Sequence, residues 1–142
     1  LVKLAPVTGG GGGGLGGSGG GLTDATARAQ LREGGVDIKP GASLEGMQQI
    51  TVNTLISLKN QCECDVTVTS GTDSHSLGTC HANGFKADIR PNAKLNTFIT
   101  KQAKAGARSD GATLYAFGGG LIADERSLPR VAPHWDLSAG GC

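Results

Sequence analysis

The chain has 142 residues, a formal net charge of +1 and only 4% aromatic residues, which bounds it to one globular domain with a modest core. Scattered Lys and Arg with so few aromatics exclude a basic groove or stacking platform, so no nucleic-acid partner is expected. No apolar run approaches the roughly 20 residues needed to cross a bilayer, so no membrane span is expected, and "LVKLAPV" is too short for the core of a signal peptide.

Residues 1–22 form a Gly-rich N-terminal segment containing "GGGGGGLGGSGGG" at 9–21. It reads as a linker, or as an assembly arm whose backbone groups bond to neighbouring copies, because glycine offers no side chain to bury. Residues 23–142 are expected to form the domain. In "LTDATARAQLREGG", Thr23 is the N-cap, Asp24 lies in the first turn and Gly34 is the stop of a first helix. After a turn at "VDIKPGA", "SLEGMQQITVNTLISLKNQ" reads as a second helix capped by Ser43. Its Leu44, Met47, Ile50, Thr54, Leu55 and Leu58 fall at helical spacing. "CDVTVTS" alternates as a strand with Val66 and Val68 on one face, and "FKADIR" is a second strand. Pro91 opens a third helix, "PNAKLNTFITKQAKAG", with Leu95, Phe98 and Ile99 inward and Gly106 as terminator. "ATLYAFGGGLIAD" reads as a β-hairpin around Gly118 to Gly120, and "HWDLS" as a last strand. This order predicts an α+β domain: a small, mostly antiparallel sheet with helices packed on one face.

Cys62, Cys64, Cys80 and Cys142 include no CxxC pair, a usage that fits an oxidising compartment, and the chain begins at Leu1 rather than Met. An extracellular or periplasmic protein processed from a longer precursor is therefore expected. Strand neighbours such as Cys62 and Cys64 point to opposite faces, so Cys80 is expected to bridge to Cys62 or Cys64. Cys142 is left unpaired or bonded to another subunit. The rival use, a Cys3His zinc knot with His81, needs a Cys-x-Cys spacing that is unusual for structural zinc.

His81, in the Gly-rich turn before "FKADIR", Asp88 on that strand and His134 at the start of the last strand make a set of two imidazoles and one carboxylate. Three ligands with an open fourth position are the catalytic rather than the structural arrangement for zinc, and Gly84 lets the chain bend between the first two.

The stretch "TSGTDSHSLGTCHANGFKADI" followed by "HWDL" resembles the M15 family of zinc D-Ala-D-Ala carboxypeptidases and related peptidoglycan peptidases, which share a fold with the hedgehog signalling domain. The family pattern is a His, a Gly three residues on, an Asp seven after the His, and a last His followed two positions later by an acid. Over roughly residues 43–138, it maps onto His81, Gly84, Asp88, His134 and Asp136. The resemblance implies a hedgehog/DD-peptidase-like fold, a Zn2+ ion bound by His81, Asp88 and His134, and Asp136 as a residue that orients a ligand. Two departures matter. The family's general base, a glutamate three residues before the last histidine, is Val131 here. An arginine that follows the family's "SG" turn is replaced by "SGTDSH", which offers Asp73 and His75. His75 is then the candidate to donate to an oxyanion or to act as base. Glu125 is the other acid that a loop could bring inward, and a loop supports geometry less well than a strand.

The expected function is an extracytoplasmic zinc-binding, M15 peptidase-like domain that cleaves or binds peptidoglycan-type peptides, with Val131 leaving turnover open. The alternative is a structural subunit of an extracellular filament or surface assembly, with the Gly-rich arm between protomers and other copies of the chain as partners.

Overall fold

The structure, a computed structural model, describes residues 20–73 and 79–140. Most of the glycine tract, His75 and Cys142 therefore lie outside the described residues.

Helix α1 (Asp24–Glu33) starts where Thr23 Oγ1 accepts the Thr26 N–H and ends at Gly34, as its end signals predict. Two residues after Gly35, whose φ is +85°, the two-residue strand β1 (Asp37–Ile38) pairs in parallel with β2 (Thr67–Ser70). Helix α2 spans Gln49–Cys62 and has Gln48, not Ser43, at its N-cap. The Ser43 and Leu44 N–H groups are bonded instead to the carboxylates of Asp73 and Asp24, at 3.0 and 2.7 Å. Gly46, at φ +84°, is incompatible with a continuous helix through this stretch. Leu44 and Met47 are nonetheless fully buried.

Strand β3 (Lys86–Ile89) leads to α3 (Ala93–Thr100), capped by the Asn92 side chain on the Leu95 N–H. That helix stops well short of Gly106 because Lys104–Ala107 form a strand, β4, paired with β5 (Thr113–Phe117). All four β4 residues are exposed, so only backbone pairing at the sheet edge holds them, and hydrophobic patterning cannot reveal that. The hairpin of β5 and β6 (Gly120–Asp124) and the last strand, β7 (Trp135–Ser138), form as expected.

Among the described residues the fold is α+β, with three helices and a seven-stranded mixed sheet in the order β1-β2-β3-β7-β6-β5-β4. Every pairing is antiparallel except β1 with β2. The strand last in sequence thus lies at the centre, between β3 and β6. One core cluster fills the interior, with Trp135, Leu31, Leu55, Ile89, Ile99 and Leu137 inaccessible to solvent. Trp135 anchors it: its indole N–H donates to Asn96 Oδ1 at 2.8 Å, and the Arg126 guanidinium lies 4.4 Å from its ring centroid.

The disulfide differs from the one expected. Cys62 bonds Cys64, and Cys80 is disulfide-bonded elsewhere rather than to either of them. Cys62 is the last residue of a helix, not part of a strand, and Glu63 adopts the left-handed conformation at φ +50°. That turn brings the two Cα atoms to 5.2 Å, within the normal span of a disulfide.

Candidate metal centre

Strand pairing places Asp88 of β3 directly opposite Asp136 of β7. Directly opposed residues share a face. Alternation sends Ala87, Ile89, Trp135 and Leu137 into the core, leaving Lys86, Asp88 and Asp136 together on the other side. Like charges opposed across two strands destabilise a sheet, so this pair calls for a cation. Half of it is answered by side chains. Asp136 Oδ2 accepts from Lys86 Nζ at 2.9 Å and from Arg108 at 3.0 Å.

The other half is not answered that way. Asp88 Oδ1 and Asp136 Oδ1 are buried and have no hydrogen-bond partner, a costly state for an ionised oxygen. His81 Nε2 lies 3.4 Å from each of them. These three atoms lie within 4.8 Å of one another. Ligands at about 2.0–2.1 Å in a tetrahedral zinc site sit about 3.3 Å apart, so the spacing fits a shared cation.

Both histidines are oriented in the same way. His81 Nδ1 lies 3.1 Å from the Gly71 carbonyl and His134 Nδ1 lies 2.7 Å from the Ala132 carbonyl. A carbonyl can only accept, so each Nδ1 carries a proton, and each ring presents its Nε2 to the carboxylates, as ligating histidines do. His134 Nε2 points to Asp88 Oδ1 at 3.6 Å and to Glu125 Oε1 at 3.1 Å. Asp88 Oδ1 is therefore approached by both imidazoles.

Local structure holds these groups. The Asp73 carboxylate accepts the Gly71 and Ser43 N–H groups, fixing the turn whose carbonyl orients His81. Gly84, at φ +88°, presses against the Gly46 carbonyl so closely that no Cβ fits. Its own carbonyl accepts from Gln48 N and Thr51 Oγ1. The turn carrying His81 is thereby tied to the start of α2.

Burial alone would lower the His81 pKa, but the carboxylates of Asp136 and Asp88 outweigh it and hold the ring up to about 10. Asp136 stays well below the usual carboxylate range: burial works against this, and His81 and Lys86 overcome it. Without a cation, the protonated His81 ring offsets the repulsion between the two carboxylates.

His81 Nε2 lies near Asp88 Oδ1 and His134 Nε2 lies 3.6 Å from the same oxygen, but the donor atoms grouped within 4.8 Å of one another are those of His81, Asp88 and Asp136, not His134. Asp136, expected to orient a ligand, presents Oδ1 among the donors themselves. His75 lies outside the described residues. Val131 is 43% exposed and lines a groove of about 410 Å3 together with Asp88, His134, Lys39, Thr69 and Arg90.

The sequence reading weighs Glu125 and sets it aside as a loop acid, and Arg108 and Lys86 escape it. Glu125 is not a mobile loop acid: its N–H donates to the His134 carbonyl at 3.1 Å, continuing the β6–β7 ladder. It therefore shares a face with Ala123, the partner of Asp136, and is 8% exposed. Arg108 reaches from the turn after β4 to Glu125 Oε2 at 2.6 Å as well as to Asp136. Lys86 lies two residues before Asp88, so strand periodicity was a signal for it. In comparisons with known proteins, no family model, curated protein or solved structure matches the chain.

Proposed function

We propose that His81, Asp88 and His134 bind one divalent cation, zinc by their nitrogen and carboxylate donors, and that the domain hydrolyses peptide amide bonds in the manner of the M15 peptidases it resembles. The observation that carries this reading is the pair of buried carboxylate oxygens without hydrogen bonds, both faced by Nε2 of His81, with Nε2 of His134 near one of them. Asp136 Oδ1 completes the donor set or orients His81. Bound there, zinc would polarise a substrate carbonyl and make a water acidic enough to deliver hydroxide near neutral pH.

The chain's own residues supply the rest. Glu125 takes the place left by Val131: Oε1 faces the centre beside His134 Nε2, where it can receive a proton from a water and pass it to a leaving amine. Arg108, on the other oxygen, holds Glu125 in position and brings to the site the positive charge that the "SGTDSH" turn lacks. The adjoining groove contains Lys39 and Arg90, which favour a peptide with an acidic group or a free carboxylate, such as a peptidoglycan stem.

Incubating zinc-loaded protein with a stem peptide tests this. Cleavage is expected, and it should disappear in Glu125→Gln while the metal remains bound. An uncleaved peptide with zinc in place would leave the second reading, a binding or scaffolding module of a surface assembly. The observation favouring that reading is the apolar Val131 at the groove.

A further inference from the structure

The Cys62–Cys64 disulfide lies at the end of α2, and the metal centre makes no use of it. We propose that it is a reactive disulfide that exchanges with acidic thiols, the chemical class of glutathione and of thiol-bearing acidic peptides.

Its place in the chain is poorly suited to a structural role. A disulfide stabilises chiefly by closing a loop in the unfolded chain, and the effect shrinks with loop length. This one is separated by only two positions. It also encloses Glu63 at φ +50°, the helix C-cap, whose N–H bonds the Lys59 carbonyl with or without the bridge. Leu55 and Leu58 anchor α2 in the core independently of the bridge.

The surroundings set a direction of attack. Cys62 lines an open groove of about 490 Å3 together with Glu63, Lys94, Phe98 and Lys101, whereas Cys64 is 6% exposed. An incoming thiolate therefore reaches Sγ of Cys62. Two lysines against one glutamate leave the groove positive, which draws an anionic thiol. Lys59 Nζ donates to the Cys64 carbonyl at 3.0 Å, which adds a further positive charge at the backbone of the residue whose sulfur departs.

The chemistry balances as follows. The thiolate bonds to Cys62 Sγ as the Cys62–Cys64 bond breaks, and the electron pair leaves on Cys64 Sγ, which takes a proton from water. A second thiolate attacks the sulfur of the bound thiol, forming the external disulfide and releasing Cys62, which is then protonated. Two thiols become one disulfide, and the protein gains two electrons and two protons.

The test follows reduction of the folded protein by glutathione and, separately, by cysteamine, a cationic thiol. Alkylation traps the products, and the mass of the peptide carrying Cys62 and Cys64 is read, with Cys80 scored separately. Per thiolate, glutathione is expected to open the bridge about tenfold faster than cysteamine at low salt. High salt should remove that preference, and so should the double variant Lys94→Glu, Lys101→Glu, both of whose altered side chains are exposed. Circular dichroism confirms that the chain stays folded. A bridge that stays closed in millimolar glutathione until the protein unfolds would overturn the proposal, as would cysteamine reacting as fast as glutathione.

Discussion

Asp88→Asn separates a role in binding from a role in folding. The substitution keeps the shape of the side chain and removes one of two opposed charges. In chelator-treated protein it should therefore lower stability only modestly, by about 1 kcal/mol, because the lost pairing with the protonated His81 ring is partly offset by relief of the repulsion between the two carboxylates. The same change should weaken zinc binding at least about 100-fold, since a ligand is lost. Urea unfolding in EDTA, followed by zinc titration, checks both. A strongly destabilised variant would mean that Asp88 serves the fold. Glu125→Gln should instead retain zinc and lower the rate of any peptide cleavage by about 10² to 10⁴. An equal loss of metal would mark Glu125 as a ligand. His81 and Asp88 were legible as candidates because the chain sets a histidine and an aspartate around one Gly-containing turn, whereas the place of Asp136 among the donor atoms depends on strand pairing. Arg108 was not, because nothing local in "GARSDGA" shows that its turn folds back over β6 and β7.

At the scale of elements, the turn carrying His81 depends on Gly84. Gly84→Ala adds a Cβ at φ +88° against the backbone of Gly46, so it should cost about 2 kcal/mol or more and weaken metal binding together with stability. Thermal melting with and without zinc reads both losses. Beside β7, the Asp124–Arg126 pair is bonded at 2.9 Å, and the Arg126 guanidinium holds the Asp124 carboxyl below the usual range against the opposing effect of burial. A lowered folded pKa means that the contribution is present above the unfolded value of about 3.9 and is lost as pH falls through the folded value. Asp124→Asn should therefore cost about 1 kcal/mol at pH 7 and progressively less as the pH falls below about 3.9, as measured by urea unfolding across that range. Elements with their own end signals, such as α1, could be read directly. Ser43 misled because Asp24 and Asp73 claim the backbone groups that a helix there would need. The strands β1 and β4 were hidden because pairing partners distant in sequence, not their own side chains, make them strands.

For the molecule as a whole, insertion of the last strand between β3 and β6 joins "HANGFKADI" to "HWDL" and gives the face its excess of acid. The α+β class was readable from the order of elements. The place of β7 in the sheet was not, since strand order depends on packing across the whole chain. A cation gripped by residues from three separate segments must also stabilise the fold, because the unfolded chain offers no such site. At a free zinc concentration 100 times the Kd, that linkage amounts to about 2.7 kcal/mol. Calorimetric titration of chelator-treated protein with zinc, paired with melting curves, is the most direct measurement. One ion per chain should bind and raise the melting temperature, and both effects should vanish in His81→Ala and His134→Ala. An absence of binding, with melting curves that zinc and chelator leave unchanged, would contradict a metal centre on this face of the sheet.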